Sequence, residues 1–211
     1  MSTMLSTRVL PSTDEKTLEE ATGILRAGGL VVFPTDTVYG LAGHAYLPEA
    51  VERIYQVKER AKEKAIPLLL ADGEQVQEVA SDVPPVAYRL TEAFWPGGLT
   101  IILPKSQRVP DVVTAGGATV ALRTPDHTFV LALIRALGAP LAATSANVSG
   151  HPPATTAREA LDELGGRVAL IVDGGACPGG VPSTVLNLTV SPPRVLREGA
   201  VAWEAIRRVL G

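Results

Sequence analysis

Short apolar runs stopped by glycine or proline alternate with stretches of helical period along most of this chain, and few folds accept that order. Leu30–Phe33, Ile66–Leu70, Thr100–Leu103, Thr119–Arg123, Leu141–Thr144, Val168–Val172, Ser183–Leu188 and Arg194–Leu196 each read as a short strand. Apolar runs of that length between turn formers suit strands buried in a sheet. Between them, Ser12-Thr13-Asp14-Glu15 fits a helix capping box, with Leu18, Ala21 and Leu25 on one face before Gly28-Gly29. Further helices are predicted from Pro48 (Val51, Ile54, Tyr55), over Val86–Phe94, Phe129–Leu137, Thr156–Leu164 and Trp203–Leu210. The expected class is α/β, a single domain over residues 1–211 with a twisted sheet of mixed parallel and antiparallel strands flanked by helices. Antiparallel pairs are expected where strands follow closely, near residues 100–123 and 183–197.

Hydrophobic residues make up 46% of the 211 positions but aromatics only 4%, so the core must be built from Val, Leu, Ile and Ala. A formal net charge of −3 argues against a module whose main work is gripping a nucleic-acid backbone, while leaving room for a local basic pocket. The single cysteine, Cys177, excludes a disulfide framework and a multi-cysteine zinc site, and His44, His127 and His151 are too scattered for a metal cluster. No apolar stretch suits a signal peptide or a membrane span, so a cytoplasmic protein with no membrane partner is expected.

The usual nucleotide signatures are missing. Neither G-x-x-x-x-G-K-[ST] nor G-x-G-x-x-G occurs, and the glycines of Gly174–Gly180 lack the lysine of a phosphate loop. Polar groups do gather where apolar strands end, the place where ligands settle in α/β sheets. Pro34-Thr35-Asp36-Thr37-Val38-Tyr39-Gly40-Leu41 follows one strand, and Leu141 to Thr144 runs into Ser145-Ala146-Asn147-Val148-Ser149-Gly150. Either could be a hydrogen-bonded turn or a binding loop. Lys58, Arg60, Lys62 and Lys64 fall within seven residues before a strand. They fit a solvated helix end or an anion-binding loop. Arg123 closes an apolar strand, so it has a carboxylate partner or awaits an anionic ligand. Cys177 reads as structural.

Together these segments resemble the YrdC family from Gly28 to Gly199. Pro34–Leu41 is similar to its P-T-D-T-x-Y-G-L motif, and Lys58-x-Arg60 with Lys64–Pro67 to its K-x-R-P-x-x-K-P-L stretch. Trp95–Thr100 resembles W-P-G-P-L-T, Arg123–Pro125 R-x-P, Thr144–Gly150 T-S-A-N-x-S-G, Ser183–Val185 S-T-V and Arg194–Gly199 the terminal R-x-G region. Ala61, Ala65 and Gly98 stand where proline is common, a change that removes no polar side chain.

The resemblance implies a YrdC-like fold and a nucleotidyltransferase that forms threonylcarbamoyl-AMP and pyrophosphate from L-threonine, bicarbonate and ATP. A separate transferase would then modify the adenosine 3′ to the tRNA anticodon. It further implies Lys58, Arg60, Ser145 and Asn147 as catalytic, and Arg60, Lys64, Thr119, Ser145 and Arg197 as ATP contacts. Thr37, Arg123, Thr144 and Ser183 would hold threonine. Magnesium on the ATP phosphates is expected, with its ligands unknown, and weak direct tRNA binding is allowed. The chain is similar to the short form of the family. Two rivals are an RNA-binding module of the same fold and a paralogue adenylating another carbamoyl compound; the charge and the lone cysteine count against them.

Overall fold

The computed structural model describes residues 6–178 and 181–211. Ten strands form one sheet in the order β1-β8-β2-β3-β7-β4-β6-β5-β9-β10. The strands are β1 (Arg8–Pro11), β2 (Val31–Phe33), β3 (Gly40–His44), β4 (Leu68–Leu69), β5 (Leu99–Pro104), β6 (Thr119–Arg123), β7 (Leu141–Ser145), β8 (Leu170–Asp173), β9 (Thr184–Asn187) and β10 (Arg194–Arg197). The helices are α1 (Glu15–Arg26), α2 (Pro48–Lys58), α3 (Val76–Val79), α4 (Pro85–Phe94), α5 (Thr128–Leu137), α6 (Ala157–Leu164) and α7 (Trp203–Leu210). Parallel pairs (β1–β8, β2–β8, β4–β6, β5–β9) mix with antiparallel ones, among them the expected β5–β6 and β9–β10.

Because strand side chains alternate between faces, each run feeds two cores. Val31 and Phe33 pack with Leu25 of α1 and Leu133 of α5 on one face. Val32 packs on the other with Ile54 of α2, Leu90 of α4, Ala160 of α6 and Ile206 of α7. Helix α5 ends at Gly138, whose φ of +73° is the left-handed stop that the sequence announced.

Several expectations shift. Ser12 does not cap α1: its N–H donates to the Asp173 carbonyl at 2.7 Å, so the chain is still extended there. Asp14 is the N-cap and accepts from the Lys16 amide at 2.9 Å. Strands β1 and β3 and the one-turn α3 were not anticipated, and the strand expected over Ile66–Leu70 shortens to Leu68–Leu69.

The two faces are not equally covered. By register, Thr119 and Ala121 of β6, on the face of Arg123, lie beside Pro104 and Ile102 of β5, and Ile102 and Thr100 beside Asn187 and Val185 of β9. They share the face of Leu69 and Leu141, where α1 and α5 pack, but Ala121, Ile102 and Val185 belong to neither core and are only half-buried. That end of the sheet is an open platform.

Gly199 shows how tightly the segment after β10 meets the segment that enters β9. A Cβ there would lie 2.2 Å from the Pro182 carbonyl oxygen and 2.6 Å from the Thr184 nitrogen. Gly199→Ala should therefore cost about 2 kcal/mol through backbone displacement. The check is a melting temperature roughly 5 °C lower.

Candidate active site

A cleft of about 530 Å³ opens where the cover of α5 stops and the platform begins. It is lined from segments far apart in sequence: Thr35, Thr37 to Gly40, Arg60, Leu69, Thr100, Arg123, Ala143 to Ser145, Asn147, and Ser183 with Arg197. Strand ends explain the gathering. Leu69, Arg123 and Ser145 close β4, β6 and β7, while Gly40 and Thr100 sit near the starts of their antiparallel neighbours.

The Thr35–Thr37 turn is tied by the Thr35 hydroxyl, which donates to the Val38 carbonyl at 2.7 Å and accepts from the Thr37 amide at 3.1 Å. Arg123 answers the question its sequence posed. Its Nη2 meets Asp36 at 2.5 Å and its Nε donates to the Gly97 carbonyl at 2.8 Å. Nη1 has only a 3.5 Å contact with Thr37 Oγ1, and so keeps donors for an anion. Across the cleft, Ser183 Oγ and Thr100 Oγ1 share a hydrogen bond of 2.8 Å.

Two further cations have no carboxylate partner among the described residues. Arg60 donates to the backbone carbonyls of Lys64 at 3.1 Å and Ala65 at 2.9 Å. Arg197 donates to the Ser183 carbonyl through Nε at 3.0 Å and through Nη2 at 2.8 Å. Burial lowers both pKa values, and for Arg197 the nearby Arg123 adds repulsion. Both guanidinium groups stay charged, so the cleft carries positive charge that only a ligand would neutralise.

Lys58 departs most from expectation. It is not an open member of a cationic loop but the last residue of α2, 2% exposed. Glu59 follows in the left-handed conformation at φ 52° and turns the chain away. The Lys58 ammonium donates to the carbonyls of Ser145 and Asn147 and to Asn147 Oδ1. Lys58 is absent from the cleft lining and bears on the site through the loop 145–151. Burial, with the neighbouring Arg60, lowers its pKa to about 8.

Of the other expected residues, Thr37, Thr144, Ser145, Asn147 and Ser183 all line the cleft. Lys64 does not; it is exposed and connects to the cleft through its carbonyl, which Arg60 holds. Thr119 is also outside the lining. It is exposed on the platform, on the same face as Arg123 but four residues, or about 13 Å, away along β6. Asp36, Leu69, His151 and Pro153 were not singled out. Leu69 lies near the end of the strand expected over Ile66–Leu70, and it neighbours Arg123 in register. Gly179 and Gly180 of the glycine-rich stretch lie outside the described residues.

Among the described residues no His, Cys, Asp or Glu side chains gather as a metal site, and the cleft lining contains neither Asp nor Glu. No helix there is long and apolar enough to cross a membrane.

The Sua5/YciO/YrdC family, described as telomere recombination, matches residues 23–199. The chain is 43% identical over 198 residues to a threonylcarbamoyl-AMP synthase of Pyrococcus abyssi, covering 94% of this chain and 58% of that one. It is 44% identical over 201 residues to the synthase of Bacillus subtilis, covering 95% and 58%. The chain thus spans little more than half the length of these relatives. The crystal structure of Pyrococcus abyssi Sua5 complexed with L-threonine superposes with a TM-score of 0.93 at 41% identity, covering 97% of this chain and 61% of that one. A mixed ten-stranded sheet, a cation-lined cleft at its strand ends and these matches lead to one conclusion: the chain belongs to the Sua5/YciO/YrdC family.

Proposed function

We propose that this chain is a threonylcarbamoyl-AMP synthase domain, joining L-threonine, bicarbonate and ATP with release of pyrophosphate. The observation that carries the reading is the meeting of Arg60, Arg123 and Arg197 in one cleft with neutral hydroxyl and amide groups between them. Threonine and bicarbonate give a carbamate without a strong base, and none of the cleft lining is carboxylate. The hard step is attack of the carbamate oxygen on the α-phosphate, where two anions must approach. Fixed cations and close positioning lower that barrier.

In this reading Arg123 takes the threonine carboxylate through its free Nη1, with Thr37, Thr144 and Ser183 beside it. Arg60 and Arg197 neutralise the phosphates, and Ser145 and Asn147 orient them. The nucleoside lies over the platform toward Thr119, with Lys64 at the outer rim. Magnesium arrives on the nucleotide as part of the substrate. A transferase acting on tRNA then consumes the product, which sets the work in the cytoplasm; direct tRNA binding is weak at most, given the net charge of −3.

The deciding test is mass detection of threonylcarbamoyl-AMP from purified protein with the three substrates. No adduct, or one formed without threonine, would end the proposal.

Lys58 gives the reaction an alkaline limit. With its pKa lowered to about 8, the ammonium becomes an amine whose two N–H groups cannot serve three acceptors. Pyrophosphate release should fall above about pH 8. Stability should move the other way: the unfolded chain keeps this proton to the ordinary 10.5, so between the two values Lys58 favours the fold as pH rises. Parallel rate and melting profiles over that window would check both signs.

A further inference from the structure

The loop 145–151 brings Ser145, Asn147 and His151 to the cleft, and two charged side chains hold it from opposite sides. Lys58 grips it from within. From outside, Glu163 of α6 accepts the Val148 amide at 2.9 Å through Oε2, and its carboxylate meets His151 Nδ1 at 3.0 Å. We infer that Glu163, itself outside the cleft lining, is a positioning residue that sets the loop 145–151 for the phosphate end of the reaction. The inference rests on the proposed function for its kinetic consequence but not for its structural one.

The loop's other contacts show why this one matters. Ala146 donates to the Tyr39 carbonyl at 2.8 Å, Ser149 to the Lys58 carbonyl at 2.8 Å, and Asn147 Nδ2 to the carbonyls of Val148 at 2.9 Å and His151 at 2.8 Å. Asn147 thus stitches the loop to itself, while Tyr39, Lys58 and Glu163 tie it to the rest of the fold. Glu163 is the only carboxylate in that set.

Its charge also reaches Lys58. Three groups bear on the region around that ammonium: Arg60, beyond the end of α2, disfavours its charge, Glu163 on α6 favours it, and the His151 ring stands against Glu163. Nearby, Glu59 is engaged by Arg167 at 2.9 Å. The hydrogen bond from Val148, then that from His151, hold the Glu163 carboxyl below its ordinary range, so it is ionised throughout the neutral range.

Two substitutions separate geometry from charge. Glu163→Gln keeps an acceptor for Val148 but removes the charge. Lys58, followed by NMR of its side-chain nitrogen, should then titrate at lower pH, and the alkaline limit of pyrophosphate release should move down with it. Glu163→Ala removes both. The Val148 amide should exchange faster with solvent, and kcat/KM for ATP should fall roughly tenfold or more while KM for threonine stays near wild type. Asp162→Asn, an exposed neighbour paired with Arg158, should change none of these.

An unmoved Lys58 titration in Glu163→Gln, or wild-type Val148 exchange and ATP kinetics in folded Glu163→Ala, would overturn the inference. Should the alanine variant fail to fold, Val148 exchange and ATP kinetics in Glu163→Gln, whose uncharged amide oxygen is the weaker acceptor, decide in its place. If the wild-type protein releases no pyrophosphate, it is the proposed function that fails, and titration and exchange still judge Glu163.

Discussion

Arg60→Ala should lower threonine- and bicarbonate-dependent pyrophosphate release by about 10²–10³-fold and leave the protein folded. The size follows from removing one fixed cation aimed at developing phosphate charge in a sheltered cleft. Stability is spared because Arg60 donates only to the carbonyls of Lys64 and Ala65, on an exposed loop where water can replace it. The loss should fall on ATP, through both kcat and KM, with threonine binding kept at the Arg123 end. Measuring threonine affinity by calorimetry beside the rate separates the two halves. Near-normal turnover by Arg60→Ala would mean that phosphate binds elsewhere.

Lys58→Met should be equally damaging for a different reason. Methionine fills the same buried volume, but the carbonyls of Ser145 and Asn147 and the Asn147 side-chain oxygen lose their donor. Unpaired buried acceptors are costly, whereas relieving the burial of an ammonium is favourable. These effects oppose each other, so the net stability change should be small, about 1 kcal/mol. The loop itself will relax, and a displacement near 1 Å costs about 10²-fold in rate. A melting curve little changed beside an activity largely gone is the signature to look for. Retained activity would show that the loop needs no internal brace.

Much of the architecture is visible in the order of residues because burial imposes it. The apolar run Thr119–Arg123 and the helix Trp203–Leu210 lie where the pattern puts them, each with a strict apolar side that only one environment satisfies. Strand β1 escaped because it is an edge: Arg8-Val9-Leu10-Pro11 is mostly exposed and carries no buried stripe to read. Strand β3 escaped because Gly40-Leu-Ala-Gly-His has little β preference of its own and is held extended by β2 on one side and β7 on the other.

The candidate site divides along the same line. Arg123 was legible, since a cation at the end of an apolar strand needs a partner, and Asp36 with the cleft beyond it supplies the need. The inward turn of Lys58 was not. A run of four cations reads as wet surface, and the carbonyls that receive the ammonium lie 87 and 89 residues away in sequence. Only the packing of α2 on β3, with β3 paired to β7, brings them together.

The position of β9 and β10 at one margin of the sheet has a kinetic meaning. This pair is bonded to the remaining strands through β5 alone, and β10 carries a bulge between Val195 and Arg197. Marginal pairs of this kind detach at lower free energy than central ones. Ser183 and Arg197 lie on the marginal side of the seam between β5 and β9, Arg123 and Ser145 on the interior strands and Thr37 on the turn between β2 and β3. That seam is thus the line along which the two sides of the cleft are joined.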